Sequence, residues 1–267
     1  MHQANRRYWE AVSSDWRALR DRDGLWRRIP TQPHLAFEGG ALETIRAFVG
    51  ELEGKDICVI GSGDNYAAFA LAGMGARVTS TDIAQGQLDV ARDRAAQLGL
   101  EVDFVQADAA DLDPLPNAAF DLICSTNGFF VWISELVRVF SAVERVLRPG
   151  GYYVFYDIHP FQRPWTVSTG SGEVAPLLME KPYWDVGPYV EEDGAVEFNW
   201  TLADLLNPLV EAGLVLRRIV ESPAKDPRFW EGDAYTPGKD TRLMDWRVNP
   251  RAGLPVWLTV CAEKCPV

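Results

Sequence analysis

Residues 57–64 of the chain are Ile-Cys-Val-Ile-Gly-Ser-Gly-Asp, a short apolar run followed at once by a Gly-x-Gly turn. The apolar run predicts a buried strand, and a helical pattern begins directly after the turn. Glycine permits a sharp turn and a close approach of the backbone to a ligand. The first N–H groups of a helix also lack partners within that helix. The segment therefore predicts either a nucleotide-type binding loop at Gly61, Ser62 and Gly63 or a tight strand–helix turn with no ligand.

Strands and helices alternate along the chain from Asp56 to Ile158. Two further strands, at residues 214–220 and 256–262, follow a helical pattern at 201–212. Parallel strands joined by helical crossovers need helices on both faces of their sheet. We therefore predict an α/β fold of the Rossmann-like type, with a mostly parallel seven-stranded sheet, helices on both faces and an irregular lid insertion. The last two strands are expected to add a hairpin-like edge.

Changes in this pattern divide the chain into four parts. Residues 1–50 are helical and aromatic and are predicted to form an N-terminal cap on the core at residues 51–158. Residues 159–200 contain five prolines and little periodicity, which is typical of a lid or a binding loop. Residues 201–267 return to the pattern of the core and carry a second insertion at 222–250.

Two carboxylates follow the second and third strands. Asp82 stands roughly 20 residues beyond the first glycine, where Rossmann-like sheets place an acid that binds ribose hydroxyls. Its alternative role is to cap the helix that follows. Asp108 can accept a hydrogen bond from the exocyclic amine of adenine, or it is an ordinary loop residue. Together with the glycine loop, the two acids predict a site shaped for adenosine.

In this order, the motifs of residues 58–158 resemble the class I methyltransferases that depend on S-adenosylmethionine (SAM), of the small-molecule type. The turn at Leu147 to Gly151 also matches the family. The resemblance implies SAM as cofactor, S-adenosylhomocysteine (SAH) as product, and methyl transfer to an oxygen or nitrogen atom of a small acceptor. It assigns cofactor binding to Gly61, Ser62, Gly63, Asp82, Ile83, Asp108, Ala109 and Ser125.

Two positions depart from the family's pattern. Val59 stands where the family often has an acid that contacts the amino group of the donor, and Asn65 replaces the third glycine. We expect Asn127 and the backbone after Ser125 to receive that amino group instead. Three more candidates for the donor site are Tyr8 and Arg7, over the donor carboxylate, and Gln87, facing the ribose.

The acceptor site is expected after Ile158, where the fifth strand ends. His159 is the predicted general base and a predicted substrate contact, because a base assists transfer to a hydroxyl. A hydrogen-bonded structural histidine is the alternative, and Asp157 is the second candidate base. The nearby aromatic residues predict an apolar pocket, a cage for a cationic amine, or packing of the insertion onto the core. The predicted substrate contacts among them are Trp132, Phe161, Trp165, Tyr183 and Trp184.

Composition and charge argue against several other functions. The net charge of −12 opposes binding to phosphate backbones, so no nucleic-acid partner is expected. The four cysteines and three histidines supply no set of four ligands for zinc. No segment approaches ~18 unbroken apolar residues, and no apolar signal region begins the chain. We therefore expect a cytoplasmic protein without a metal or a membrane partner; its assembly is left open, with a homodimer among the options.

Two other functions remain open from the sequence. The departures at Val59 and Asn65 are compatible with a protein that binds SAM without transferring its methyl group. A nicotinamide-dependent oxidoreductase is the second alternative. Tyr66 argues against it, because a dinucleotide loop prefers a glycine there for close packing of helix on strand.

Overall fold

The computed structural model describes residues 1–63, 66–165, 177–231 and 238–266. Its main sheet has seven strands in the order β3-β2-β1-β4-β5-β9-β8, and each strand except β9 is parallel to the others. The predicted α/β Rossmann-like fold is therefore confirmed. The strands are β1 (Asp56–Val59), β2 (Arg77–Asp82), β3 (Val102–Gln106), β4 (Phe120–Ser125), β5 (Leu147–Ile158), β8 (Leu214–Ser222) and β9 (Trp257–Lys264), and β6 (Tyr189–Val190) and β7 (Val196–Glu197) form a separate ribbon.

Helices cover both faces of the main sheet. Side chains of β1 alternate between two hydrophobic clusters, with Ile57 and Val59 in one and Cys58 and Ile60 in the other. A strand buried on both faces is expected to be a continuous apolar run, as residues 57–60 are. The helices are α1 (His2–Asp23), α2 (Ala41–Val49), α3 (Tyr66–Gly73), α4 (Gln85–Leu98), α5 (Leu136–Val146), α6 (Leu202–Glu211) and the short α7 (Arg228–Glu231).

The order of the strands reverses between β1 and β4. Val59 of β1 pairs with Ser80 of β2 on one side and with Cys124 of β4 on the other. In open α/β sheets, ligands bind outside the carboxyl ends of the strands at such a reversal. The fold therefore places the loop after β1 at the expected binding edge.

The last strand lies inside the sheet. β9 is antiparallel both to β5, where Val260 pairs with Phe155, and to β8, where Val260 pairs with Ile219. The expected pair of late strands is present, but β8 rather than β9 forms the edge. Charged side chains such as Arg217 and Arg218 on this outer strand are a common means of discouraging further strand pairing.

Candidate active site

A cavity of about 530 Å³ opens at the carboxyl ends of β1, β2 and β4. Its floor comes from the loops that follow these strands, and α1 together with β7 covers it from above. The residues that line the cavity include Tyr8, Arg20, Gly61, Gly63, Asp82, Ile83, Asp108, Asn127, Trp132, Arg163 and Glu197.

The glycine loop lies against the cavity in a backbone conformation that favours glycine. Gly61 and Gly63 have φ values of +54° and +52°. A Cβ atom on Gly61 would lie 2.4 Å from the Phe129 ring, whereas a Cβ on Gly63 would meet no heavy atom within 4 Å. Ser62 fixes the loop, since its Oγ lies 2.7 Å from Oγ of Ser80. The loop thus presents bare backbone and open space at Gly63.

Asp82 joins the ends of β1 and β2. Its side chain accepts hydrogen bonds from the backbone N–H groups of Gly63 and Ala84, each at 2.9 Å. Asp82 is 7% exposed, and burial raises the pKa of its carboxyl despite these hydrogen bonds. Each carboxylate oxygen can accept a further hydrogen bond. Because Asp82 lines the cavity, it is placed to receive two hydroxyls.

Asp108 is held by the first residue of α1. The His2 Nδ1 atom lies 3.0 and 2.9 Å from its two carboxylate oxygens, and Ala110 N donates to Oδ1 at 2.9 Å. Burial raises the pKa of Asp108, but the His2 and Ala110 hydrogen bonds outweigh that effect and the net shift is downward. Ala109 and Ile83 line the same end of the cavity. A purine amine would therefore share the Asp108 carboxylate with His2 or displace His2 from it.

Helix α1 is fastened over the cavity at two places. The side-chain amide of Asn5 donates to the carbonyls of Trp132 and Val196, each at 2.9 Å, and Asn5 Oδ1 accepts from Val196 N at 2.7 Å. Glu10 accepts from the N–H groups of Gln85 and Gly86 at the start of α4, each at 2.8 Å. An acidic group is favourable at a helix N-terminus. These contacts hold α1 as the roof of the site.

Aromatic rings from α1 and from the segment after β4 form one wall. Tyr8 stacks on Trp132 with ring centres 5.5 Å apart, and Trp9 meets Trp132 edge to face at 5.2 Å. Arg20 crosses this roof further along α1, with its guanidinium 5.2 Å from the Trp16 ring centre and 5.1 Å from that of Tyr66. The predicted contact from Tyr8 thus has a place on the wall. Arg20, rather than the predicted Arg7, is the arginine of α1 that reaches the cavity.

Of the two donor contacts predicted at the end of β4, one lines the cavity and the other does not. Asn127 lines the cavity, and its Oδ1 accepts from Ile158 N at 3.3 Å. Ser125 is fully buried, with its Oγ 2.7 Å from the Tyr153 hydroxyl, and does not line the cavity. Asp157 is also buried and holds the neighbouring loop by accepting from Gly128 N at 3.1 Å and Phe130 N at 3.3 Å. Asp157 therefore positions the loop rather than facing a substrate.

His159 lies away from the cavity, contrary to its expected position at the rim. Its Nδ1 accepts from Phe161 N at 3.1 Å, and its Nε2 lies 2.8 Å from Glu221 Oε1 on β8. The two groups of this second contact lie within ion-pair distance, but they do not form a well-aligned hydrogen bond. Burial lowers the pKa of His159, although Glu221 partly offsets the shift. The geometry gives His159 the structural role that the sequence left as the alternative.

Several other predicted residues also lie off the cavity wall. Gln87 is 3% exposed within α4, with no hydrogen-bond partner for its Nε2 atom. Trp165 donates from Nε1 to Phe161 O, and the Tyr183 hydroxyl accepts from Leu202 N. Trp184 is 77% exposed. The aromatics of the insertion thus pack against one another or face outward, and of the predicted substrate contacts Trp132 is the one that lines the cavity.

Some cavity residues were not identified from the sequence. His2, Asn5 and Arg20 belong to α1, whose helical pattern was recognised without any signal for where it docks. Glu197 and Arg163 lie in the weakly patterned insertion. The predicted effect of Asn65 falls outside the described residues, and so do residues 166–176 of the predicted lid.

The cavity residues fit a donor of the SAM type. The open space at Gly63 accommodates a group that a Cβ atom would exclude. Asp82, Ile83 and Asp108 all line the cavity. Among the described residues, no group of three or more potential metal ligands occurs, and no helix there is long and apolar enough to cross a membrane.

Comparison with known proteins agrees with this geometry. Residues 58–155 match the profile of a methyltransferase domain family. This segment is a methyltransferase domain. The match agrees with the resemblance that the order of the motifs suggests.

Relatives of the domain differ in their named substrates. A malonyl-acyl-carrier-protein O-methyltransferase from Serratia marcescens is 39% identical over 103 residues, 38% of this chain and 38% of that protein. A ubiquinone biosynthesis O-methyltransferase from Nitrosococcus oceani is 28% identical over 149 residues, 56% of this chain and 62% of that protein. The chain thus spans less than two thirds of these relatives.

A solved structure extends the likeness in fold to most of the chain. A SAM-dependent methyltransferase from Mesorhizobium loti superposes with a TM-score of 0.62 at 23% identity, over 86% of this chain and 99% of that one. At this identity the likeness concerns the fold alone. It supports treating the seven strands and their helices as one fold.

Proposed function

We propose that the protein transfers the methyl group of SAM to an oxygen or nitrogen atom of a small-molecule acceptor. The observation that carries this proposal is the cavity at the reversal of the strand order, which Gly63, Asp82 and Asp108 all line. The cavity volume of about 530 Å³ suits small molecules. A cytoplasmic location and the absence of a nucleic-acid partner stay predictions from composition, and the assembly state stays open.

Each part of the donor has a candidate partner in the cavity. Asp82 would hold the ribose hydroxyls, Ile83 would pack on the adenine, and Asp108 would accept from its amine. Arg20 would face the carboxylate, because a guanidinium pairs well with carboxylate oxygens. When bound, SAM supplies a methyl group on a positively charged sulfur, a group reactive enough that positioning contributes much of the rate.

The roof formed by α1 has a clear use in this reaction. It places Tyr8 against Trp132 of the segment after β4, and both rings line the cavity, where they would limit the access of water. A closed, oriented site brings two reactants together without the entropic cost of a chance encounter. No proton transfer through His159 is needed, because that side chain points to Glu221.

Isothermal titration with SAH tests the donor site, with NADH as the control ligand. We expect micromolar binding of SAH and no binding of NADH. Incubation with methyl-labelled SAM and a mixed panel of small amines and hydroxyl compounds then tests transfer. Binding of NADH in place of SAH would contradict the proposal.

A protein that binds SAM without transfer is the second candidate. Val59 favours it, because this fully buried apolar residue stands where the family often has an acid for the donor's amino group. SAH binding without labelled product on a broad panel would support this candidate over the first.

A further inference from the structure

The cavity lining contains a carboxylate that has no cation within ion-pair distance among the described residues. Glu197 of β7 lines the cavity, and no hydrogen bond or ion pair joins its side chain to another described residue. Burial, then the nearby Glu191, raise the pKa of this carboxyl, while Arg163 acts in the opposite direction. A partly buried carboxylate that lacks a partner costs free energy, and a cationic ligand offsets that cost.

The surrounding charges reinforce this preference. Residues 189–197 contain four acids and no lysine or arginine. Burial and then the charges of Asp193 and Glu197 raise the pKa of the Tyr8 hydroxyl in the same part of the cavity. A negative field that keeps a phenol protonated also opposes an acceptor that must become an anion before it is methylated.

The aromatic wall suits the same kind of ligand. Tyr8 and Trp132 stack on each other and line the cavity together with Glu197. Trp9 also lines the cavity and meets Trp132 edge to face. Cations are attracted to the faces of such rings. Arg163 also lines the cavity, but it lies beyond ion-pair distance of every described carboxylate and can hold a neutral or anionic oxygen of the same acceptor.

We propose that Glu197, Tyr8 and Trp132 select an acceptor with a primary or secondary amine that is protonated in solution. The inference rests on the proposed function and narrows it from oxygen or nitrogen to nitrogen. The bound ammonium gives one proton to the Glu197 carboxylate. The freed lone pair then forms the N–C bond, the electron pair of the broken C–S bond stays on sulfur, and Glu197 releases its proton to water.

The test measures the affinity of three probes with similar size and different charge for the SAH-saturated protein. Phenethylamine is the cation, 2-phenylethanol the neutral compound and phenylacetate the anion. We expect the amine to bind at least about tenfold more tightly than the alcohol, the change typical of a charge-assisted hydrogen bond. Glu197→Gln is expected to abolish this difference while the affinity for SAH stays unchanged. Glu192→Gln removes an exposed acid from the same ribbon and should preserve the difference in affinity between the amine and the alcohol.

The outcomes distinguish failure of the amine inference from failure of the methyltransferase proposal. If SAH binds but the amine binds no better than the alcohol, or phenylacetate binds most tightly, the amine inference is overturned and the methyltransferase proposal stands. An amine preference that survives in Glu197→Gln also overturns the role of Glu197. If SAH fails to bind, both proposals fall.

Discussion

Asp82 is the residue on which the donor site depends most directly, since it joins the glycine loop to the expected ribose position. We expect Asp82→Asn to weaken SAH binding by about 1–3 kcal/mol, because a charged acceptor is replaced by a neutral amide. Titration calorimetry measures the change. Asp103→Asn, an exposed acid on the neighbouring strand β3, is the matched control. An unchanged affinity in Asp82→Asn would show that the ribose lies elsewhere.

His159 makes a separate prediction about pH. Its pKa is lowered by burial, so the folded protein binds fewer protons than the unfolded chain just below the ordinary histidine pKa of about 6.5. Stability contributed by neutral His159 is therefore present above that pH and is lost as the pH falls toward the lowered value. Replacing His159 with Gln removes the effect. The difference in Tm between wild type and this variant should become less favourable to wild type as the pH is lowered from about 7.5 to about 5.

The same variant distinguishes a structural histidine from a catalytic base. Because His159 contacts Phe161 N and Glu221 rather than the cavity, we expect His159→Gln to retain methyl transfer and SAH affinity. A large loss of turnover with normal SAH affinity and an unchanged Tm profile would restore it as the base.

At the level of secondary-structure elements, the docking of α1 on α4 depends on a glycine. A Cβ atom at Gly86 would lie 2.5 Å from Ser13 Oγ and 2.8 Å from Glu10 Oε2, so Gly86→Ala forces these two side chains of α1 to move and disturbs the hydrogen bonds of Glu10 with α4. We expect weaker SAH binding by roughly tenfold, as the roof and its contacts to the donor shift. Gln97→Ala, on the exposed face of α4, should leave binding unchanged. Equal SAH affinity in both variants would mean that α1 does not contribute to the donor site.

Elements were easier to predict than their docking. The apolar run of β1 and the glycine loop are local patterns, and the strand–helix alternation implies a parallel sheet; these features emerged as predicted. The position of α1 depends on contacts such as Asn5 with Val196, 191 residues apart, which no local pattern encodes. His159 was misplaced for a similar reason, because the end of a strand does not reveal toward which neighbour the next side chain turns.

At the scale of the whole molecule, SAH binding at the donor site should stabilise the folded protein against unfolding. A ligand that binds only the folded state at 100 times its dissociation constant adds ~2.7 kcal/mol to the free energy of unfolding. For a chain of 267 residues, that corresponds to a rise in Tm of about 5 °C. We expect SAH to produce this rise and NADH to produce none. Because α1, β1, β2 and β4 all contribute to the cavity wall, Asp82→Asn and Gly86→Ala should each reduce the rise at a fixed SAH concentration. A full rise in both variants would place SAH at a different site.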